Sequence, residues 1–258
     1  MLASDRRREI FNRLVREGYV EAKELAEELG VDASTIRRDL DALARSGQVK
    51  RTHGGARTVP GVSADLPYSM KETARLDQKA AIAGVAVQRV RDGDTVVLDS
   101  GSTTYEIAVR LRNHEDLTVI TNDLRIATFI ADLRRFRLLV AGGELLGSVY
   151  TLTGRRTVEF LLDYAADWTF LGADAVDAAA GITNTNTLEI PVKRAMLEVA
   201  ATTVVVADSS KFGHRALAKV ADLDEVDEII TDSDLPSDSV DVFGKNLITV
   251  ADPAPTPG

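Results

Sequence analysis

The stretch Lys23 to Leu43, KELAEELGVDASTIRRDLDAL, restricts what this chain can fold into more than any other. Leu25, Ala26 and Leu29 recur at helical spacing, Gly30 stands where that helix should end, and Asp32 is a good N-cap for a second. In the second helix Ile36, Leu40 and Leu43 fall on one stripe, while Thr35, Arg37, Arg38, Asp41 and Arg45 point away from it. The small Ala26, then Gly30, then Ile36 let two helices cross closely. The pattern is a helix-turn-helix, whose second helix can lie in a DNA major groove. The competing reading is an ordinary helical hairpin with a solvated basic face. The Arg37–Arg38 pair near the helix start and the basic, glycine-turned segment GQVKRTHGGARTV that follows favour DNA.

The flanking residues extend this pattern. Arg6 to Glu17 reads as a helix with Ile10, Phe11 and Leu14 inward, closed by Gly18, and Tyr19-Val20 is long enough only for a bridge strand. Gln48–Arg51 and Ala56–Val59 read as two short strands joined through Thr52-His53-Gly54-Gly55, with the glycines expected at positive φ. Three helices and such a hairpin make a winged helix over 1–58. Lys50, Arg51, His53 and Arg57 then lie on the wing, where contacts to backbone phosphates are the expected role.

The formal net charge of −9 argues against nucleic acid until its distribution is considered. Residues 1–58 carry 12 Lys+Arg against 10 Asp+Glu, and residues 33–58 carry six against two, so the acidity belongs to the rest of the chain. A local basic patch is what meets phosphates. With 258 residues the chain suits two domains better than one. No apolar run approaches the ~20 residues of a membrane span, and the charged N-terminus has no signal-peptide core. Cysteine is absent and His53, His114 and His214 are scattered, so neither disulfides, a metal site nor a cofactor is expected, and a reducing cytoplasm is the simplest location. Residues 59–74, with Pro60, Gly61 and Pro67, read as a linker, and the tail 253–258 as disordered.

From Arg75 onward the periodicity changes. Leu76, Ala80, Ala83, Val87 and Val90 mark an amphipathic helix. Seven apolar, β-branched runs follow, separated by helical stretches: 95–98, 117–121, 137–141, 168–172, 203–207, 228–231 and 247–250. Runs that do not alternate, interleaved with helices, predict a mostly parallel α/β sheet covered on both faces over 75–252. Ligands of such sheets bind beyond the carboxyl ends of the strands. There the sequence places Asp99-Ser100-Gly101-Ser102-Thr103-Thr104 before a helix, then Asn122, Gly142-Gly143, Asp174, and Asp208-Ser209-Ser210-Lys211. Hydroxyls, a close-approach glycine and a helix N-terminus suit a phosphate, and lysine could meet the same group. Side-chain capping alone would account for the serines and threonines. Their convergence on one sheet edge favours a phosphorylated polyol as ligand.

TIRRDLDAL (35–43), RTHGGA (51–56), LDSGSTT (98–104), TVITND (118–123), GITNTNTLEIPVKRAM (181–196) and VVVADSSKFG (204–213) together resemble the DeoR-type bacterial transcriptional regulators over nearly the whole chain. The resemblance implies an N-terminal winged helix-turn-helix and a C-terminal sensor similar to the ribose-5-phosphate isomerase and CoA-transferase fold. It also implies a repressor released from operator DNA by a phosphorylated sugar intermediate. By motif, Ser100 to Thr104 would hold the phosphate, and Asp174, Glu189 and Lys211 match other polar pocket positions. A homo-oligomer, dimer or tetramer, is expected, because one winged helix reads only a short site. The rival is a sugar-phosphate isomerase working through a carboxylate base. Those enzymes carry Asp-Gly-Ala-Asp-Glu where this chain has Leu171-Gly172-Ala173-Asp174-Ala175, so the outer two acids are missing. Phosphate recognition without the acid-base groups points to sensing rather than turnover. The segment Asn184-Thr185-Asn186-Thr187 assigns no sugar.

Overall fold

The computed structural model describes residues 2–45, 49–58, 74–146, 149–244 and 247–250. The linker read at 59–74 lies outside them apart from Ala74, as does the tail 253–258. The chain divides into two compact units, Met1–Ala74 and Arg75–Gly258.

In the first unit, helix α1 (Ala3–Glu17) ends at Gly18, whose left-handed backbone (φ 75°) turns its N–H onto the Leu14 carbonyl. Helix α2 (Ala22–Leu29) ends the same way at Gly30, φ 62°, with its N–H on Ala26. The Asp32 carbonyl accepts the first bonds of α3 (Ala33–Arg45), from Thr35 and Ile36. Ile10, Phe11, Leu14, Leu25, Ile36, Leu40 and Leu43 form one core, so the stripe read in the sequence is the buried one. Asp39 shares that face of α3 and is buried too. Its carboxylate takes Arg6 of α1 at 2.6 Å and Arg7 at 3.5 Å, fixing how α1 crosses α3.

Tyr19–Glu21 is more than a bridge. As β1 it pairs antiparallel with β3 (Gly55–Thr58), which also pairs β2 (Val49–Arg51), giving the order β1-β3-β2. Gln48 and Val59, read as strand ends, lie outside the described residues. The glycines of the turn also differ from expectation, since neither Gly54 nor Gly55 has positive φ. Gly55 is needed for closeness instead: a Cβ there would stand 1.8 Å from the Val20 carbonyl oxygen of β1.

The second unit contains α4 (Leu76–Val87), β4 (Thr95–Leu98), α5 (Ser102–Leu111), β5 (Thr118–Thr121), α6 (Leu124–Leu133), β6 (Arg137–Val140), the hairpin β7 (Glu144–Leu146) and β8 (Thr151–Thr153), and α7 (Arg155–Leu162). It continues with β9 (Ala166–Gly172), β10 (Ala175–Asp177), β11 (Gly181–Asn184), α8 (Ile190–Glu198), β12 (Ala200–Val206), β13 (Ala218–Ala221), β14 (Glu228–Asp232), α9 (Ser237–Phe243) and β15 (Leu247–Val250). Seven strands form one parallel sheet in the order β15-β14-β12-β9-β4-β5-β6, and they are the seven apolar runs of the sequence. Both faces are covered, which explains why the runs do not alternate. Val96, Leu98, Phe170, Val204 and Val206 pack on one side with Ile82, Ile107 and Ile126. Val97, Leu171 and Val205 pack on the other with Leu161, Val192 and Met196.

The helix stripe read from Leu76 to Val90 is rotated in the structure. Ala83 and Val90 are buried as read, but Leu76 is half exposed, and Lys79, Ile82 and Ala86 are buried where the stripe had Ala80 and Val87. A lysine on the inward face breaks the apolar pattern, because its partner, Asp208, is far away in sequence. The β7-β8 hairpin and a second, antiparallel sheet in the order β10-β11-β13 are additions the sequence reading did not contain. Among the described residues no helix is long and apolar enough to cross a membrane, and no group of three or more His, Asp or Glu is placed to hold a metal.

Gly55→Ala should destabilise the first unit, because the new methyl meets backbone rather than a side chain able to swing away. Overpacking of this kind costs about 1–3 kcal/mol. Chemical denaturation of the N-terminal unit should show it, and an unchanged midpoint would mean that β1 and β3 are less close than described.

Candidate functional site

The first unit presents one basic face. Arg37 and Arg38 are exposed one turn into α3, with Thr35 half-buried beside them. On the wing Lys50 and Arg57 are cross-strand neighbours and both exposed, as is His53. Arg51 is different, because its guanidinium is held by Asp41 at 2.8 Å and by the Gly55 carbonyl. It joins the wing to α3 as well as adding charge. A cleft of about 220 Å³ brings Lys23, Arg37, Arg51 and His53 to a common opening. Helix α3 and the wing thus share one cleft, which Glu21 also lines.

In the second unit the sheet order reverses around β4: β5 and β6 lie on one side, β9 and the later strands on the other. A crevice at such a switch point is where an open α/β sheet binds ligands. The registers Leu98↔Phe170, Leu98↔Thr121 and Val206↔Gly172 align the carboxyl ends, so the loops after β4, β5, β9 and β12 meet at one edge. Asp99 is buried at its centre. Its carboxylate accepts the Gly172 N–H at 3.0 Å and the ammonium of Lys193, which also donates to the Gly172 carbonyl at 2.9 Å. Burial works to lower the Lys193 pKa, but Asp99, Glu189 and Asp174 outweigh it and hold the pKa above its ordinary value. Asp99, Asp174 and Glu189 are therefore brought together around a lysine that sequence reasoning missed. Asn184 ties two of them, accepting from the Asp174 N–H at 3.4 Å and donating to Glu189 at 2.9 Å. The Thr185 N–H donates to the Asp174 carboxylate at 3.0 Å.

The loop after β4 is more ordered than its composition suggests. The Ser100 hydroxyl donates to Asp123 at 2.8 Å and accepts from Thr151 of β8 at 2.5 Å. Asp123 caps α6 through the N–H groups of Arg125 and Ile126, yet burial pushes its pKa up against those bonds. The Thr104 hydroxyl turns back to the Gly101 carbonyl, and Thr103 is buried. Gly101, in extended backbone (φ 163°), stands at the N-cap of α5 with no side-chain cap, so the first N–H groups of that helix gain no capping bond from it.

Gly142 and Gly143 lie away from the crevice, and Lys211 stands on the same edge but farther along it. The Gly142 carbonyl accepts from Thr157 at 2.8 Å, and a Cβ on Gly143 would lie 2.2 Å from the same hydroxyl, so these glycines let the chain pass close to α7. Lys211 closes the turn Ser209–Lys211 after β12, with β9 between it and the Ser100 loop. It faces Asp208. Burial works to raise the Asp208 pKa, while Lys211, the Ser210 hydroxyl, Lys79 and Arg75 together hold it below its ordinary value. Arg75 also reaches Asp234 at 2.6 Å and Ser209 at 2.7 Å. This second charged cluster, with Lys79 and Arg75, was not visible in the sequence.

A winged helix with an exposed basic face, followed by a doubly wound α/β unit whose polar crevice lies at the switch point, defines a two-part protein with a DNA-reading and a sensing unit. The model of the DeoR-like helix-turn-helix domain matches residues 6–60, and that of the DeoR C-terminal sensor domain matches residues 74–233. The chain belongs to the DeoR family. It is 31% identical over 236 residues to the glycerol-3-phosphate regulon repressor of Escherichia coli K12, covering 92% of this chain and 93% of that one. It is 34% identical over 252 residues to the HTH-type transcriptional regulator GlpR of Haloferax volcanii, covering 98% of each. Among solved structures it is similar to ribose 5-phosphate isomerase A of Methanocaldococcus jannaschii, with 20% identity, a TM-score of 0.40, and 54% of this chain and 55% of that one covered.

Removing one partner of a buried ion pair costs about 3–5 kcal/mol, since the other charge stays buried. Lys193→Met should therefore lower stability by about that amount, and adding Asp99→Asn should restore part of it, because an amide oxygen can still accept from Gly172. The raised Lys193 pKa fixes the sign with pH. Its contribution is complete below the unfolded value near 10.5 and is lost as pH rises through the higher folded value. Denaturant titrations at neutral and alkaline pH test this, and a single variant no less stable than the double would exclude a buried charge pair.

Proposed function

We propose that this chain is a transcriptional repressor of a sugar or polyol catabolic operon. In this reading residues 1–58 hold operator DNA and residues 75–252 bind a phosphorylated sugar that releases it. The observation that carries the reading is the β4–α5 junction. A helix N-terminus without a side-chain cap opens at the switch point between Ser100 and the Asp99–Lys193 pair. Such a terminus favours an anion. Ser100 to Thr104 are assigned the phosphate, and Asn122, Asp174 and Glu189 the hydroxyl-bearing part. Lys211, with its neighbours at Asp208, supplies a charge that is not part of the DNA surface.

The relatives' names support regulation, and the engaged carboxylates weigh against turnover. An isomerase needs a carboxylate able to take a proton from substrate. Here Asp174 and Glu189 are tied to Thr185 and Asn184, and Leu171 and Ala175 replace the outer acids. We place the protein in the cytoplasm as a homo-oligomer, at least a dimer, reading an inverted repeat.

Operator binding by the full chain, with and without a phosphorylated sugar and beside its dephosphorylated form, tests the reading. Gly101→Val and Lys211→Ala should abolish the response. An unphosphorylated sugar acting equally well would exclude the phosphate site. On the DNA side, Arg37→Ala or Arg38→Ala should cost ~1–3 kcal/mol and relax preference at particular base pairs. Lys50→Ala should weaken all sequences alike and lower the salt slope by about one unit per phosphate contact. Unchanged operator preference in both arginine variants would refute the groove assignment for α3.

A further inference from the structure

Two buried asparagines, one after β5 and one after β11, are each half satisfied. Asn122, 1% exposed, follows β5. Its Nδ2 donates to the Leu152 carbonyl at 3.1 Å, while its Oδ1 has no partner among the described residues. Asn186, 7% exposed, lies in the segment 184–187 to which the sequence assigned no role. Its Oδ1 accepts the Leu188 N–H at 3.1 Å, while its Nδ2 has no partner among the described residues. The backbone bonds fix which end of each amide is used, so the open positions differ in kind: an acceptor at Asn122 and a donor at Asn186.

The two are joined through β8. The Leu152 N–H donates back to the Asn122 carbonyl at 2.7 Å. The next residue, Thr153, donates its hydroxyl to the Leu188 carbonyl. Leu188 is the residue whose N–H Asn186 holds. Thr151, on the same strand, reaches Ser100. One short strand thus connects the loop assigned to phosphate, the Asn122 acceptor and the Asn186 donor. A buried amide atom without a partner costs free energy, and such atoms are uncommon in folded proteins. His114 Nδ1 and Thr231 Oγ1 are also unpartnered, but His114 precedes β5 at the opposite edge of the sheet and Thr231 lies within β14.

We infer that Asn186 is a specificity-determining residue of the effector site, whose amide donates to a hydroxyl oxygen of a phosphorylated polyol while Asn122 accepts from another hydroxyl. This rests on the phosphate site proposed above and deepens it. A hydroxyl both donates and accepts, so a chain of hydroxyls matches one open acceptor and one open donor, whereas an acyl or alkyl phosphate does not. A site built around such groups discriminates strongly against analogues lacking them.

The test is binding of glycerol 3-phosphate, a set of pentose and hexose phosphates, propyl phosphate and inorganic phosphate to the full chain by calorimetry. Wild type, Asn186→Asp and Asn186→Ala are compared. Asn186→Asp keeps the oxygen that holds the Leu188 N–H and replaces the donor, so it guards against a variant that fails only because the turn loosens. The quantity read is the affinity for the best polyol phosphate divided by that for inorganic phosphate, which removes any uniform effect of the added charge. We expect this ratio to fall about tenfold in both variants, the scale of one hydrogen bond, with propyl phosphate affinity changing no more than that for inorganic phosphate. A ratio equal to wild type in Asn186→Asp overturns the assignment of Asn186 and leaves the phosphate site standing. A wild-type protein that binds no phosphorylated compound overturns both.

Discussion

Where β4 and β9 part at their carboxyl ends, the Lys193 ammonium lies between the Asp99 carboxylate and the Gly172 carbonyl, while Asp99 takes the Gly172 N–H. Four polar groups, from the ends of two neighbouring strands and one helix, satisfy each other in the crevice that the topology opens. Without that contact the centre of the sheet edge would hold a buried carboxylate and two backbone groups with no partner, a costly combination. With it, the Asp99 backbone is fixed and the chain turns at Ser100 into α5. The neighbouring loops are then tied in turn, β5 through Asp123 and β8 through Thr151. The crevice has rigid walls because its floor is a closed set of hydrogen bonds.

The winged helix solves a different problem with similar means. Its small core is apolar throughout, but the angle of α3 to α1 is set by the Asp39 carboxylate under Arg6 and Arg7. The exposed arginines of α3 are thereby presented at a fixed inclination. The wing is fixed as well, by Arg51 on Asp41 and by the close backbone approach at Gly55. Charge inside the unit orients the charge outside it.

The helix-turn-helix and the seven parallel strands were legible because each rests on a local pattern: apolar spacing, a glycine at a helix end, a β-branched run buried on both faces. The small antiparallel strands were not, since three-residue segments such as Thr151–Thr153 carry too little pattern to separate from a loop. Within the crevice, Asp99, Asp174 and Glu189 could be picked out as acids near strand ends or in matching motifs. Lys193 could not, since a lysine on an amphipathic helix reads as solvent-facing until a partner 94 positions away is seen. Lys79 escaped for the same reason, its inward position on α4 depending on Asp208. The wing glycines were read for conformation and Gly143 for a ligand loop, whereas Gly55 and Gly143 serve close approach to backbone or hydroxyl groups from other elements. Long-range electrostatics and backbone proximity are the parts of a fold that periodicity does not encode.

The order of the parallel sheet also bears on how the chain is made. Every described strand pairing in the first unit closes by residue 58, so it can complete its structure while most of the chain is still being synthesised. The inner strand β4 cannot gain its second neighbour until β9 exists, with Val97 opposite Thr169, and β14 waits for β15. Such distant pairings slow folding and leave apolar strand edges open in the interval. The helix-turn-helix unit can therefore mature on the ribosome well before the sensor unit. Nascent chains would pass through a stage in which the DNA-reading fold is complete and its control is not yet assembled.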